Sequence, residues 1–348
     1  MGRPSCARLF LLIPALALVA AAVPRETSGQ GSGPDLALTQ LGFSAADVVA
    51  ARAGSIVSRQ VPQADDSAAF VIGVARVVAP DERIVSALRN IDSFRTGGRV
   101  IQGGRFSSPP LPADLAALAF ETQDLEDLRH CRVGDCDIRV DAEAMHVAAG
   151  IDWKGPEAHA DASAALKGAL LKLTRDYVER GAPALWVYHE SDTPDDSAAA
   201  FAGLIAASPR LVALNDAFFR HVLAFPAEPP PGVESFVYWS KEKLRRPVVS
   251  IVQAFLQRVP SADGDRYFVA LKHIYDSHYF RAFAEFIVVM PDGGPAPEHG
   301  HFLVRSVRAS IDPPHWLRGM LLGRIKREMR SALRDDLEAT RSRLEAAE

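Results

Sequence analysis

The sequence has little cysteine: Cys6 near the N-terminus, then Cys131 and Cys136 close together. A zinc site needs a second close pair of ligands, which His130 and His146 do not supply. A thioredoxin-like redox pair needs C-x-x-C within a βαβ pattern, and neither the spacing nor the pattern is present. Long apolar runs are scarce too. Beyond the first thirty residues nothing approaches the ~18 apolar residues of a spanning helix, and Phe286 to Met290 has the length of a buried strand. Neither sign of charge is in large excess. With 39 basic and 43 acidic residues, the formal charge of −4 argues against nucleic acid or an anionic membrane as a general electrostatic partner. G-x-S-x-G, H-E-x-x-H, a phosphate-binding loop and a dinucleotide fingerprint are all missing. Gly103-Gly104 alone signals nothing. These absences put the common secreted hydrolases out of first place, and no motif calls for a cofactor or a metal.

The N-terminus carries the strongest positive signal. Arg3 and Arg8 precede the apolar run Leu9 to Ala22, which ends on Ala20-Ala21-Ala22. A short run closed by small residues reads as a secretory signal peptide over 1–22, with Val23 the first mature residue and a cut near Gly29 as the alternative. The expected location is periplasmic or secreted. Loss of Arg3 and Arg8 takes the charge from −4 to −6. Cys6 precedes the run and cannot serve as a lipid anchor after it. Cys131 and Cys136 then remain, and in an oxidising compartment they are expected to form a disulfide across Arg132-Val133-Gly134-Asp135.

Residues 23–43 read as a flexible leader, its first part rich in Gly, Ser and Pro. Residues 44–348 read as a single α+β domain. Ser44 caps a helix over 45–53. Ala68 to Val78 is a strand with Phe70, Ile72 and Val74 on one face. Pro80-Asp81-Glu82 opens a helix with the stripe Ile84, Val85, Leu88 and Ile91. A strand follows over 100–106. A mainly helical stretch, about 111–235, contains short helices after Asp114 and Asp124, a strand over 137–140, a long helix over 161–180, a strand over 184–188 and a helix over 201–206. The last third predicts an antiparallel meander: 236–239, 247–259, 267–275, 279–290 and 301–311, with turns at 261–265, Asp276-Ser277 and 291–294. A helix then runs from about Trp316, with Leu317, Leu321, Ile325, Met329, Leu333 and Leu337 as its apolar ridge. Its many arginines alternate with acids and read as a solvated face.

Two stretches fit together. Val77 to Val85 takes a strand into a helix, and Val307-Arg308-Ala309-Ser310-Ile311-Asp312-Pro313-Pro314 takes the meander into the last helix. Over 68–106 and 236–348 this pattern resembles the helix-grip fold of the START and polyketide-cyclase-like superfamily. That resemblance implies a curved antiparallel sheet packed on a long C-terminal helix, with an apolar ligand held between them. Residues 111–235 depart from it as an insertion. The runs Cys131 to Asp137, Tyr238-Trp239-Ser240-Lys241 and Ser277-His278-Tyr279-Phe280 also resemble exported bacterial proteins of unknown function, which implies no activity.

The candidate ligand-binding residues are His273, Tyr275, His278, Tyr279, Arg281, Glu285 and Arg305. Residues two apart on a strand share a face, so His273 and Tyr275 are expected to be neighbours. They either face a cavity, where they could orient a carbonyl or move a proton, or fill a sheet face with solvated tips. Arg281 and Glu285 are likewise expected on one face, with Arg305 in a comparable place. Inside a cavity such charges must pair; outside they decorate an edge. His299-x-His301 and the group His189, Glu190 and Asp192 read as turns more readily than as metal ligands.

Three functions follow. The leading one is an exported protein binding an apolar or amphipathic, lipid-like small molecule between sheet and C-terminal helix. The second is an enzyme on the same scaffold, with His273 and Tyr275 as acid and base. The third is an envelope protein that holds a protein partner through 111–235 and no ligand.

Overall fold

A computed structural model describes residues 33–63, 68–94, 99–189, 194–294, 300–311 and 318–346. The expected signal peptide, residues 23–32 of the leader, Glu190, Asp192, His299, Pro313, Pro314 and Leu317 lie outside these residues, as does the side chain of Leu321. In chain order the elements are α1 (Pro34–Gln40), α2 (Ala45–Arg52), β1 (Val57–Gln60), β2 (Ala68–Val77), α3 (Asp81–Arg89), α4 (Ile91–Phe94) and β3 (Val100–Arg105). The helical stretch holds α5 (Thr122–His130), α6 (Ala142–Ala149), α7 (Ala158–Arg180), β4 (Val187–Tyr188), β5 (Asp195–Asp196), α8 (Ser197–Ala206), α9 (Pro209–Val212) and α10 (Asp216–Ala224). The meander is β6 (Val233–Glu242), β7 (Val248–Val259), β8 (Arg266–Asp276), β9 (Ala282–Pro291) and β10 (His301–Ser310), followed by α11 (Arg318–Glu345).

The fold is α+β. Eight strands form one antiparallel sheet in the order β1-β2-β10-β9-β8-β7-β6-β3, and β4 pairs only with β5. The meander runs from β6 to β10, and β10 closes onto the early strand β2 along ten paired positions from His301↔Val77 to Ser310↔Ala68. Side-chain alternation decides what covers each face. On β2, Phe70, Ile72 and Val74 join Phe268, Phe286 and Phe302 beneath α1, α2, α8, α9 and α10. Val71, Ala75 and Val77 point the other way, toward α3, α4 and α11. At the β6–β7 end, α7 packs Leu170, Leu173 and Tyr177 near Trp239, Ile251 and Tyr275.

Local sequence explains the element ends. Ser44 accepts the Asp47 N–H while Asp47 accepts the Ser44 N–H, a reciprocal cap that starts α2. Gly181 ends α7 at φ +69°, and a Cβ there would lie 1.8 Å from the Phe225 carbonyl oxygen, so both conformation and space demand glycine. Cys131 and Cys136 sit at disulfide distance, with Cα atoms 4.4 Å apart.

Several expectations change. Residues 34–40, read as leader, form α1 with Leu38 fully buried, and Gly33–Glu348 is one compact unit. Residues 137–140 are not a strand: the Arg139 N–H donates to the Ser277 carbonyl at 3.0 Å, so this backbone pairs with a turn. The strand expected at 184–188 shrinks to Val187–Tyr188, which pairs only with Asp195–Asp196. The ridge of α11 also shifts along the helix. Leu333, Leu337 and Leu344 are buried against the sheet, whereas Ile325 and Met329 are only partly buried, beside Leu322, Ala309 and Ile311. Among the described residues no helix is long and apolar enough to cross a membrane.

Candidate functional site

The seven candidate residues fall into separate clusters. His273 and Tyr275 do not share a face. The β7–β8 ladder shifts register there, with Val252 opposite His273 and Ile251 opposite Tyr275, and the bulge absorbs Ile274. One extra residue reverses the alternation. His273 turns to the α11 side, its ring 4.5 Å from Phe283. Tyr275 turns to the α7 side, edge-on to Trp186 at 5.7 Å.

His273 Nδ1 lies 2.7 Å from Asp276 Oδ1, which also accepts the Ser250 hydroxyl at 2.6 Å. Burial opposes a charge on His273, yet the Asp276 carboxylate prevails and raises it above the ordinary 6.5. The wiring puts the carboxylate, not the imidazole, in the middle. It therefore cannot relay a proton from Ser250 to His273 as a nucleophile–base pair would. Burial lifts the Tyr275 hydroxyl well above its ordinary value, which suits packing and not proton abstraction.

His278 and Tyr279 belong to the β8–β9 turn, which is longer than Asp276-Ser277. Tyr279 adopts φ 70°, a conformation an aromatic residue rarely takes. The turn is held from outside the sheet. His278 Nδ1 lies 3.0 Å from the Asp137 carbonyl oxygen and Nε2 3.0 Å from Asp124 Oδ1, while the Arg246 N–H donates to Tyr279 Oη at 3.1 Å. The Arg246 guanidinium also donates to Asp124 Oδ1 at 2.7 Å and pairs with Asp127. Burial would raise the Asp124 carboxyl, but hydrogen bonds from His278 and Arg246 outweigh it and hold it below the ordinary 3.8. A depressed carboxyl contributes stability above its unfolded pKa and loses it as pH falls through the folded one. Asp124→Asn should therefore flatten the decline of unfolding free energy between about pH 4 and pH 2, measured by urea titration at each pH. A decline as steep as that of the unsubstituted protein would assign the acid sensitivity elsewhere.

Arg281 precedes β9, so it does not share a strand face with Glu285. Its Nε donates to Asp195 Oδ1 at 2.8 Å, and Arg139 takes the other oxygen at 2.7 Å. Glu285 instead receives Arg305: Nε donates to Oε2 at 2.9 Å, and Asp336 of α11 stands 3.4 Å from the same guanidinium. Both Glu285 and Arg305 are buried on the α11 side.

That side also holds an apolar cavity. Val77, Ile287, Val289 and Leu303 of the sheet form its floor, Ile84, Leu88, Ile91 and Phe94 of α3 and α4 one wall, and Thr340 and Leu344 of α11 another. His301 and Arg305, on either side of Leu303 along β10, are its polar lining. Its open volume is about 40 Å³, room for a few heavy atoms in this conformation. Arg305 is the one candidate residue that lines it. His301 is tied to Asp81 of α3 at 3.0 Å.

No protein-family model, curated protein or solved structure matches this chain.

Among the described residues no three His, Cys, Asp or Glu side chains converge as a metal site. Sequence reasoning passed over Asp124, Asp195 and Asp336, which stand against His278, Arg281 and Arg305, because each is far from its partner along the chain. It also passed over two buried cations, Lys272 and Arg308. Their signal was available: Lys272 follows Phe268 and Ala270 on one face of β8, and Arg308 follows Phe302 and Val304 on one face of β10.

Proposed function

We propose that this protein binds a small apolar or amphipathic molecule between the sheet and helices α3, α4 and α11, and that it does so outside the cytoplasm. The observation that carries the reading is the cavity's place and lining. It is lined mainly by apolar side chains, with Arg305 and His301 as its polar groups on either side of Leu303 along β10, and it lies where the helix-grip resemblance expects a ligand. The N-terminal apolar run and the paired cysteines support the compartment.

The lining further favours a ligand whose head is neutral. Glu285 and Asp336 already attend Arg305, and Asp81 attends His301, so an added carboxylate would meet acids beside the guanidinium. Entry of a longer molecule requires the end of α11 to move from α4. Polar contacts hold that end: Arg343 donates to the Phe94 carbonyl, Arg83 to that of Leu344 at 3.0 Å, and the Val78 N–H to Glu345 at 2.9 Å. Individual hydrogen bonds of this kind contribute about 0.5–1.5 kcal/mol each, so opening lies within thermal reach.

The test is uptake of N-phenyl-1-naphthylamine, an apolar dye that brightens when desolvated. Saturable uptake by the mature protein should vanish in Ala87→Phe, which fills the cavity from α3, with the circular dichroism spectrum unchanged. Equal uptake by both, or none by either together with a lipid-free organic extract, would end the proposal.

A further inference from the structure

The opposite face of the sheet holds a feature that the α11 cavity does not use. Gln253, Lys272, Ala284, Arg308 and Phe70 lie in register across β7, β8, β9, β10 and β2, and on this row the side chains point toward α7 and α8. Lys272 is 1 % exposed and Arg308 4 %. Among the described residues neither has an acidic partner. The Lys272 ammonium lies 4.5 Å from the ring centre of Phe201 and 5.1 Å from that of Tyr177, and the Arg308 guanidinium stands over Phe70 at 4.4 Å. Arg308 Nε and Nη1, Gln253 Oε1 and Tyr177 Oη are buried without a hydrogen-bond partner.

Proteins seldom leave buried polar groups unmatched, and a cluster of orphans points to a missing partner. Buried cations need an anion. Aromatic faces offset only part of the desolvation. Burial has lowered Lys272 to about 8 and Arg308 to about 10, which leaves both mainly charged at neutral pH. Ala284, with its single methyl group, stands between them in the row. The groups around them can also donate: Tyr177 through its hydroxyl, and Gln253 through its amide nitrogen, since amide oxygen and nitrogen exchange places by a half-turn. Planar guanidinium donors match the oxygens of a carboxylate or phosphate.

We propose that Lys272 and Arg308, with Gln253 and Tyr177 beside them, form a buried oxyanion site between the sheet and helices α7 and α8. The anion is either a free oxyanion or the acid head of an amphipathic molecule. The site is separate from the α11 cavity and stands or falls independently of it.

A ligand that binds only the folded chain raises its unfolding midpoint, whatever the entry route. Thermal unfolding of the mature protein is therefore compared in chloride, inorganic phosphate and octanoate at matched ionic strength. The midpoint should climb with phosphate or octanoate and not with chloride. Lys272→Met and Arg308→Met should each weaken that response roughly tenfold or more, while both variants remain folded in chloride, since an apolar side chain of similar length removes an unpaired buried charge. A response to both anions assigns a free-oxyanion site, and a response to octanoate alone assigns an acid head. Midpoints that follow chloride for both anions would overturn the proposal, as would variants that keep the full response. If either variant fails to fold, the shape of the dose response of the unsubstituted protein decides. The logarithmic rise of site binding, beginning at millimolar anion, supports the site. A rise linear in concentration is the general effect of a salt excluded from the surface and overturns it.

Discussion

Arg305→Ala is expected to cost about 3–5 kcal/mol of folding stability, because it removes one partner of a buried ion pair and leaves the other desolvated. The guanidinium side chain is 8 % exposed and the Glu285 side chain 4 %. The pair also joins β9 to β10 and reaches α11 through Asp336 at 3.4 Å, so its loss loosens the sheet's hold on the helix. Removing both charges tells a different story. In Glu285→Met with Arg305→Met the apolar replacements pack in place of the pair, no uncompensated charge remains, and the double variant should lie within about 1–2 kcal/mol of the starting protein. Urea unfolding of the two single variants and the double one forms a cycle whose coupling should exceed about 2 kcal/mol. A coupling near zero would mean that water reaches the pair, and the cavity would then be open to solvent beside Arg305.

The sheet was largely legible in the sequence, and the site was not, for reasons that particular residues make plain. Phe70, Ile72 and Val74 announced one face of β2 because strand periodicity is local. The meander followed from the same rule together with its turn residues, and the C-terminal helix followed from its spacing of leucines. The same rule failed at His273 and Tyr275. A single bulged residue, Ile274, reverses the faces, and nothing in the local composition marks it. The β8–β9 turn was misplaced because Tyr279 takes a backbone conformation usual for glycine. What supports that turn is Asp124, Arg246 and the Asp137 carbonyl, none of them nearby in the chain. Arg281 and Glu285 were paired by spacing, but the fold gives each a different partner, Asp195 and Arg305. Ion pairs are set by tertiary proximity, which a single sequence does not display. Helices cover both faces of the sheet where a helix grip calls for one long helix, because α1, α2 and the helices of residues 111–235 bring their apolar surfaces to the second face.

Leu337→Ala should cost about 2–5 kcal/mol, the range for truncating a fully buried aliphatic side chain. Leu337 is fully buried, and its Cδ1 would lie 2.8 Å from a Cβ added at Gly73 of β2. Leu333 approaches the same point at 3.4 Å, so α11 lies directly on a strand that carries no side chain there. Gly73→Val should therefore be as damaging as the leucine truncation, since it wedges the helix off the sheet while the Val57 carbonyl, 3.1 Å away, blocks retreat on the other side. Arg327→Ala, on the exposed side of the helix, should cost less than about 0.5 kcal/mol, and Ile325→Ala less than Leu337→Ala because Ile325 is only half-buried. Chemical unfolding ranks all four. The ranking also bears on the ligand: Leu344, about two turns beyond Leu337 along the helix, walls the cavity. A helix lifted by Gly73→Val should leave that wall open to water and abolish dye uptake even under conditions where the protein remains folded. If instead a chain ending at Ile311 unfolds cooperatively at the original midpoint, α11 contributes nothing to the core. The cavity would then have no third wall, and binding between sheet and helix would be excluded.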